Sequence, residues 1–284
     1  MWEEIFLLSF MCLLTAILFS KFFFHIQPNE IKFHLFFFIY YLSCSLVCLV
    51  LLPFFLLRPK SVYNAKFGAA IMKHITKLYG LKWELRRGEI LAEERGAIVV
   101  SNHQSSLDAL GLYNIWELAD KLTVVVKKEL LYIMPFGLAA YLAGIIFIDR
   151  RNSKHAYDQL KITTDVMVKE KTKIWLFPEG TRNKDCTSFL PFKKGAFHMA
   201  IAAQVPVIPV VFSPYYFLNN EKGILNKGHV VIQCLNPIPT KGLTLNDVEK
   251  LTNQVREKML AVYKDLYKEV TTNMPSGYSH TKMG

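Results

Sequence analysis

Short apolar runs alternate with segments of helical periodicity along the chain from residue 60 onward. Consecutive Val, Ile, Leu and Phe residues predict buried strands, whereas apolar residues that recur at steps of three and four predict amphipathic helices. The predicted strands are 82–86, 96–100, 122–128, 145–149, 173–177, 205–212 and 229–235, and the helices between them are 65–80, 107–118, a broken helix over 130–144, 153–171 and 193–204. This alternation predicts an α/β fold with a central, mostly parallel or mixed sheet flanked by helices.

The last predicted helix has the most regular pattern. Asn246 and Glu249 have the spacing of a capping box, which predicts that the helix begins there. Its apolar face is Val248, Leu251, Val255, Met259, Val262 and Leu266. We expect residues 273–284, which follow this helix, to form a flexible tail.

Two apolar segments precede the α/β region. Leu35–Leu57 contains no charged residue and is long enough, as a helix, to cross a bilayer core of about 30 Å. Ile5–Ser20 is shorter and is compatible with crossing the bilayer or with lying in one leaflet. Two glutamates near the start argue against a cleaved signal peptide. We therefore expect residues 1–58 to form a two-helix membrane anchor and residues 59–272 to form the α/β domain.

The formal net charge of +11 lies downstream of these apolar segments. Basic residues begin directly after the second segment, with Arg58, Lys60 and Lys66, so the positive-inside tendency predicts a cytosolic domain. A basic domain beside an apolar anchor suits an anionic lipid surface or phosphorylated substrates. Nucleic acid is not an expected partner, because the sequence has neither zinc-ligand spacing nor an aromatic–basic platform.

The stretch SNHQSSLD follows a predicted buried strand and contains His103 and Asp108. A neutral imidazole can accept a proton at pH 7, and a carboxylate on its other nitrogen would fix the tautomer and stabilise the imidazolium. The alternative is that Asn102 and Asp108 only cap local structure and that the histidine is incidental. The spacing alone does not decide between a base with its partner and a capped turn.

Cationic residues follow several other predicted strand ends or begin a helix. In the turn FPEGTR, Gly180 would let backbone N–H groups approach a ligand, and an arginine presents a planar fork that matches phosphate oxygens. Lysines at a helix start oppose the helix dipole, and a bound phosphate would remove that conflict. Taken singly, each cation is equally compatible with a solvated surface. They are Lys127, Lys128, Arg150, Arg151, Arg182, Lys193 and Lys194.

The ordered motifs NHQSSLD, GIIFIDR, FPEGTR and VPVIPV resemble those of the glycerolipid acyltransferase family that carries an NHx4D box. Within that family the chain is most similar to the animal alpha-type 1-acylglycerol-3-phosphate acyltransferases, over residues 60–268. The resemblance implies transfer of an acyl group from acyl-CoA to the sn-2 hydroxyl of lysophosphatidic acid, which yields phosphatidic acid and CoA. It also implies residence in the endoplasmic reticulum membrane, with the bilayer as a partner.

The resemblance also assigns roles to individual residues. His103 would be the general base and Asp108 its partner. The residues that would bind the substrate phosphate are Arg150 of the second motif, Glu179, Gly180, Thr181 and Arg182 of the third, and the basic residues Lys127 and Lys193. No cofactor and no metal is expected, since acyl-CoA would be a co-substrate.

Three other interpretations remain open from the sequence. The acceptor could be glycerol 3-phosphate or another lysophospholipid, since the motifs do not separate these. A non-catalytic protein that binds anionic lipid through its basic residues is a second interpretation. A thioesterase is the third, although the chain has no G-x-S-x-G elbow and Cys186 has no histidine near it in sequence.

Overall fold

The structure is a computed structural model that describes residues 28–78, 80–149, 164, 167–183, 187–272 and 274. Several expectations fall outside these residues. They are the first apolar segment Ile5–Ser20, most of the helix predicted over 153–171, Arg150, and all of the predicted tail except residue 274.

A seven-stranded sheet forms the centre of the domain. The strands are β1 (Leu81–Arg86), β2 (Ala97–Ser101), β3 (Leu122–Lys127), β4 (Ile146–Ile148), β5 (Lys173–Leu176), β6 (Val207–Phe212), the separate hairpin strands β7 (Leu218–Asn219) and β8 (Ile224–Leu225), and β9 (Gly228–Cys234). Their order in the sheet is β1-β9-β6-β2-β5-β3-β4, and every neighbouring pair is parallel except β6 and β9, which are antiparallel. The sheet is therefore mixed and mostly parallel, as the alternation of strands and helices predicts.

Helices cover both faces of this sheet. The helices are α1 (Pro28–Leu57), α2 (Val62–Met72), α3 (Ile75–Leu78), α4 (Glu89–Ala92), α5 (Asp108–Ala119), α6 (Phe136–Leu142), α7 (Gly195–Ala202) and α8 (Val248–Thr272), with 3-10 turns at Lys128–Tyr132 and Leu245–Asp247. Successive side chains of a strand point to opposite faces, so Val99 of β2 joins the core under α5 while Ile98 joins the core under α7 and α8. This confirms the predicted architecture of a sheet flanked by helices.

The start of α8 differs from the sequence-based expectation. The capping box is formed by Thr244 and Asp247 rather than by Asn246 and Glu249, and a 3-10 turn precedes the helix. The Asp247 carboxylate accepts a hydrogen bond from the Thr244 backbone N–H at 2.8 Å, whereas Glu249 forms an ion pair with Lys194. Both pairs have the capping-box spacing, and the cap lies two residues earlier than expected because Thr244 is the residue with extended backbone geometry.

Three smaller differences also separate the structure from the sequence pattern. The helix predicted over 65–80 is two helices, α2 and α3, because the chain turns at residues 73–74. Tyr263 rather than Val262 is fully buried on the apolar face of α8. The β7–β8 hairpin was not predicted, since each of its strands is only two residues long.

The apolar segment before the domain forms one long helix, α1. Glu30–Leu57 is the one stretch among the described residues that is long and apolar enough to cross a membrane, with a mean hydropathy of 2.5. The helix nevertheless packs against the domain. Phe36 and Tyr40 are buried in the core that covers α5, and Leu51 and Phe55 are buried against α6. Among the described residues one apolar N-terminal helix is thus present, and the segment expected to form its companion, Ile5–Ser20, lies outside them.

Candidate active site

The carboxyl ends of several parallel strands meet at one edge of the sheet. Val100 of β2 pairs with Leu176 of β5, and Lys127 of β3 pairs with Ile148 of β4. The segments that follow these strands therefore emerge side by side, and open α/β sheets bind ligands at such an edge. Two of the four sequence motifs, which begin at residues 102 and 177, follow directly after β2 and β5, and the motif that begins at residue 144 contains β4.

His103 and Asp108 form a hydrogen-bonded pair in the loop after β2. Nδ1 of His103 lies 2.6 Å from Oδ2 of Asp108, which is the first residue of α5 and is 1% exposed. The same carboxylate accepts hydrogen bonds from the backbone N–H groups of Gln104 at 2.8 Å and Ser105 at 3.2 Å. Because an ionised carboxylate only accepts hydrogen bonds, Nδ1 carries the proton and Nε2 is left as an acceptor. This arrangement suits a general base.

Two neighbouring side chains fix the position of this loop. The ring of His103 stacks on Phe177, with centroids 4.1 Å apart and planes inclined by 22°. The Asn102 side chain accepts a hydrogen bond from the Phe212 N–H at 2.9 Å and donates one to the Phe212 carbonyl at 3.0 Å. These contacts hold the ring of His103 in place. Its side chain is nevertheless 21% exposed, so it remains accessible to a substrate. Phe177 was not among the predicted site residues, although its place at a strand end, directly before Pro178, was a usable signal.

Glu179 connects the FPEGTR turn to the loop that contains His103. One carboxylate oxygen accepts the His103 backbone N–H and the other accepts the Leu190 backbone N–H, both at 2.9 Å. The side chain is 3% exposed, and this burial raises the pKa of Glu179 above its usual value, against the effect of the two hydrogen bonds. Its prediction as a phosphate ligand is not tested by these contacts. They give the carboxylate a different geometric role, which is to hold two loops together.

The residues around Gly180 bring a cationic side chain to the same turn. Gly180 has a φ of +72°, and a Cβ placed there would lie 2.7 Å from Cε of Lys193. The Lys193 backbone N–H also donates to the Pro178 carbonyl at 2.8 Å. Thr181 and Arg182 are exposed on the turn. The glycine thus leaves the space that the lysine side chain occupies.

Arg182 follows β5, and Lys127 is the last residue of β3, which is a neighbour of β5 in the sheet. The backbone N–H of Asn183, the residue after Arg182, donates to the His103 carbonyl at 2.7 Å. Lys127 is exposed at the end of β3, beside β5 in the sheet. The structure therefore brings eight of the nine predicted site residues to one edge of the sheet, and the ninth, Arg150, lies outside the described residues.

Two of the remaining cations, Lys128 and Lys194, have acidic neighbours, and the third, Arg151, lies outside the described residues. Nζ of Lys194 lies 3.0 Å from Oε2 of Glu249, and Nζ of Lys128 lies 3.6 Å from Oδ2 of Asp149. The expected conflict between Lys194 and the dipole of α7 is therefore partly offset by a carboxylate of α8. This leaves Lys193, rather than its neighbour, as the cation that lies against the turn.

Comparison with known proteins gives the family. The sequence model of the family described as Acyltransferase matches residues 82–213. The chain is 38% identical over 222 residues to 1-acyl-sn-glycerol-3-phosphate acyltransferase alpha of Mus musculus, which covers 78% of this chain and 77% of that protein. The chain belongs to the 1-acyl-sn-glycerol-3-phosphate acyltransferase family. The beta protein of Homo sapiens is 39% identical, covering 75% of this chain and 76% of its own length.

Two further comparisons extend this family assignment. A putative 1-acyl-sn-glycerol-3-phosphate acyltransferase of Caenorhabditis elegans is 40% identical over 245 residues, which covers 84% of this chain and 83% of that protein. The crystal structure of the 1-acyl-sn-glycerophosphate (LPA) acyltransferase PlsC from Thermotoga maritima matches with a TM-score of 0.65 at 23% identity, over 84% of this chain and 97% of that chain. The second match shows that this acyltransferase has the PlsC-like fold.

All nine predicted site residues lie inside the region that the acyltransferase family model matches. Helix α1 ends before that region begins. The family model therefore matches the α/β region that follows α1.

Proposed function

We propose that the chain transfers an acyl group from acyl-CoA to the sn-2 hydroxyl of 1-acyl-sn-glycerol 3-phosphate, yielding phosphatidic acid and CoA. One observation carries the proposal. The 2.6 Å contact between His103 and Asp108 leaves Nε2 of His103 as an acceptor, at the edge of the sheet where Lys193 lies against the turn around Gly180. The named activity of the curated relatives supports the choice of acceptor.

The reaction follows from the tautomer of His103 in its pair with Asp108, here called the dyad. Nε2 of His103 takes the proton of the sn-2 hydroxyl while its oxygen attacks the thioester carbonyl carbon. The resulting tetrahedral intermediate collapses as the C–S bond breaks, and the thiolate of CoA takes the proton from the imidazolium. Asp108 keeps its negative charge and stabilises the imidazolium throughout. No acyl-enzyme intermediate and no group beyond the two substrates is needed.

The phosphate of the acceptor would position the hydroxyl. Lys193, Arg182 and Lys127 supply positive charge, and Gly180 with Thr181 exposes backbone at the turn. Holding the acceptor by its phosphate converts a bimolecular step into an oriented one, which is worth up to roughly 7–11 kcal/mol in well-oriented systems. Arg150 would complete this set.

The N-terminal region would keep the enzyme at its lipid substrate. We propose that residues 1–58 form a two-helix anchor of which α1 is the second helix, and that the enzyme resides in the endoplasmic reticulum membrane with the α/β domain in the cytosol. The apolar composition of α1 and the basic residues that directly follow it support this orientation.

The proposal is tested by identifying the products formed from labelled oleoyl-CoA. The full-length protein in phospholipid vesicles is expected to form labelled phosphatidic acid when lysophosphatidic acid is present, and little free fatty acid when it is absent. His103→Ala should reduce the rate about 10²–10⁴-fold while leaving the melting temperature and membrane association unchanged. His198→Ala is the matched control, because this histidine lies on α7 away from the dyad.

Other outcomes would support the other interpretations. Release of oleate without an acceptor would indicate a thioesterase, and the absence of any product would indicate a lipid-binding protein. A panel that also contains glycerol 3-phosphate and lysophosphatidylcholine identifies the acceptor. A higher kcat/KM for either of these than for lysophosphatidic acid would contradict the proposed acceptor while preserving the acyl-transfer chemistry.

A further inference from the structure

The connection between β3 and α6 presents three consecutive apolar side chains to solvent. Tyr132, Ile133 and Met134, here called the apolar turn, are 70%, 54% and 68% exposed. Single exposed apolar residues are common, but contiguous ones typically mark an interaction surface. The mechanism proposed above uses none of the three.

The backbone holds the apolar turn in this exposed position. The Ile133 N–H donates to the Leu130 carbonyl at 3.3 Å, and the Gly137 N–H donates to the Ile133 carbonyl at 2.7 Å. Helix α6 folds back so closely that a Cβ at Gly137 would lie 2.0 Å from the Leu131 carbonyl oxygen. These contacts tie the backbone of the apolar turn to the start of α6.

The apolar turn is continuous with the surface of α1. The inner face of α6 packs on α1 through a cluster of buried residues, which are Leu51, Phe55, Ala139, Leu142 and Ala143. The opposite face of α6 exposes Leu138 and Tyr141, one helical turn apart. The apolar turn, this face of α6 and the exposed residues of α1 thus adjoin one another. Because α1 is apolar enough to enter a membrane, its neighbours on this surface would meet the same lipid.

Basic residues lie beside this apolar surface. Lys128 and Lys127 lie four and five residues before Tyr132 in the sequence, and both are exposed. Nζ of Lys60 lies 5.0 Å from the centre of the Tyr141 ring, and the guanidinium of Arg58 lies 4.6 Å from that of Tyr63. Tyrosines next to lysines and arginines are typical of the boundary between lipid and water, where anionic headgroups attract the cations.

We propose that the apolar turn inserts into the interfacial layer of a bilayer that contains anionic lipid, as a membrane contact separate from the N-terminal helices. The turn follows β3, which is two strands away from the strand that precedes His103, a distance of about 10 Å. Its insertion would hold the edge of the sheet that contains the dyad against the membrane surface. The membrane contact does not depend on the identity of the acceptor, whereas its effect on catalysis rests on the proposed function.

The first test measures insertion directly. An environment-sensitive fluorophore is attached to Ile133→Cys in the full-length protein, with the native cysteines replaced by serine, in phosphatidylcholine vesicles with and without phosphatidylserine. The matched control is Leu245→Cys, because Leu245 is an equally exposed apolar residue, 56% exposed, at the start of α8. We expect the fluorophore at residue 133, but not the one at residue 245, to show a blue shift of its emission and quenching by doxyl-labelled lipid. Both effects should be stronger in vesicles that contain phosphatidylserine. Equal quenching at the two positions, or a shift that depends on protein rather than lipid concentration, would overturn the proposal.

The second test measures the effect on catalysis. In the triple variant Tyr132→Ser, Ile133→Ser and Met134→Ser, the KM for lysophosphatidic acid in vesicles should rise about tenfold, since apolar area no longer enters lipid. The kcat should stay unchanged, as should kcat/KM for a short-chain, water-soluble acceptor, and Leu245→Ser should match the wild type. An equal loss with the soluble acceptor would show that the turn supports the site rather than membrane contact. If the wild type acylates no acceptor, the proposed function fails, while the fluorescence result still decides the insertion.

Discussion

Asp108 holds both the backbone of the loop after β2 and the ring of His103. Its carboxylate accepts hydrogen bonds from the backbone of Gln104 and Ser105 as well as from the His103 ring. Its position in the first turn of α5 also favours a negative charge there. The structure shows the capped turn, and the contact with the His103 ring is the one that a base with its partner would require. The two explanations of the sequence pattern are therefore compatible with one another.

An asparagine at this position would keep the shape and lose the charge. We expect Asp108→Asn to lower kcat about 10²–10⁴-fold, because the amide does not stabilise the imidazolium. The free energy of unfolding should fall by about 1–3 kcal/mol, because buried donors lose an acceptor. Asp120→Asn, just beyond the other end of α5, is the control and should leave kcat unchanged. A similar loss of kcat in both variants would contradict the role of Asp108.

Glu179 should affect kcat more than substrate affinity. In Glu179→Gln the amide NH₂ faces a backbone N–H, so the contact with either His103 or Leu190 is lost and the base shifts. We expect kcat to fall at least tenfold with little change in the KM for the acceptor, whereas Lys193→Ala should raise that KM. Steady-state kinetics separate the two, with the exposed Glu249→Gln as control. A change confined to KM would instead support Glu179 as a phosphate ligand.

The same residue should give the stability of the protein a pH dependence. Burial raises the pKa of Glu179, so folding takes up a proton at this site. The free energy of unfolding therefore falls as the pH rises from the usual pKa of glutamate through the raised value. Glutamine does not titrate, so denaturant melts across this range should show a smaller fall in Glu179→Gln. If the free energy of unfolding fell equally with pH in the wild type and in the variant, the raised pKa of Glu179 would be contradicted.

The dyad could be predicted from the sequence because its two members share one loop. The role of Glu179 could not, because a carboxylate after a strand looks the same in sequence whether it faces solvent or two backbone donors. Phe177 was missed for a related reason: its stacking on His103 depends on β2 and β5 being neighbours in the sheet. Sequence spacing reveals local contacts, whereas contacts between loops require the strand order.

At the scale of elements, the apolar runs predicted the central strands well. Strands that are buried on both faces need continuous apolar sequence, and β2 and β6 are buried at every position. The β7–β8 hairpin lacks this signal because it lies outside the main sheet. Helix boundaries were predicted less well, since capping-box spacing recurs in overlapping positions near α8.

The cap of α8 provides a test of that correction. Thr244→Ala should lower the free energy of unfolding by about 1 kcal/mol, because it removes the side chain that belongs to the observed capping box. Asn246→Ala, at the position expected from sequence, should change it by less than about 0.5 kcal/mol. Denaturant melts of the two variants give the comparison. A larger fall in the free energy of unfolding for Asn246→Ala than for Thr244→Ala would instead support the cap predicted from the sequence.

At the scale of the whole molecule, α1 lies along the domain rather than apart from it. A Cβ at Gly223 in the β7–β8 hairpin would lie 2.9 Å from Cγ of Glu30 at its start. In its middle, the Tyr40 hydroxyl lies 3.4 Å from the Ser106 carbonyl, in the loop that contains the base. At its end, the Asn64 side chain donates to the Arg58 and Leu142 carbonyls at 2.8 and 3.0 Å. A sequence that is uniformly apolar predicts a membrane helix but not these contacts.

These contacts imply that α1 cannot be removed as a detachable anchor. A chain that begins at residue 59 would expose the residues against which Phe36, Tyr40, Leu51 and Phe55 pack. We expect it to melt at least about 5 °C lower in detergent and to lose activity even toward a water-soluble acceptor, because the loop around Ser106 loses its support. The control keeps α1 and changes only its exposed residues, as in Leu49→Ser with Val50→Ser. That variant should retain both properties and bind membranes more weakly. If the truncated chain kept the melting temperature and activity of the full-length protein, α1 would serve attachment alone, and the contact of Tyr40 with the catalytic loop would have no role in catalysis.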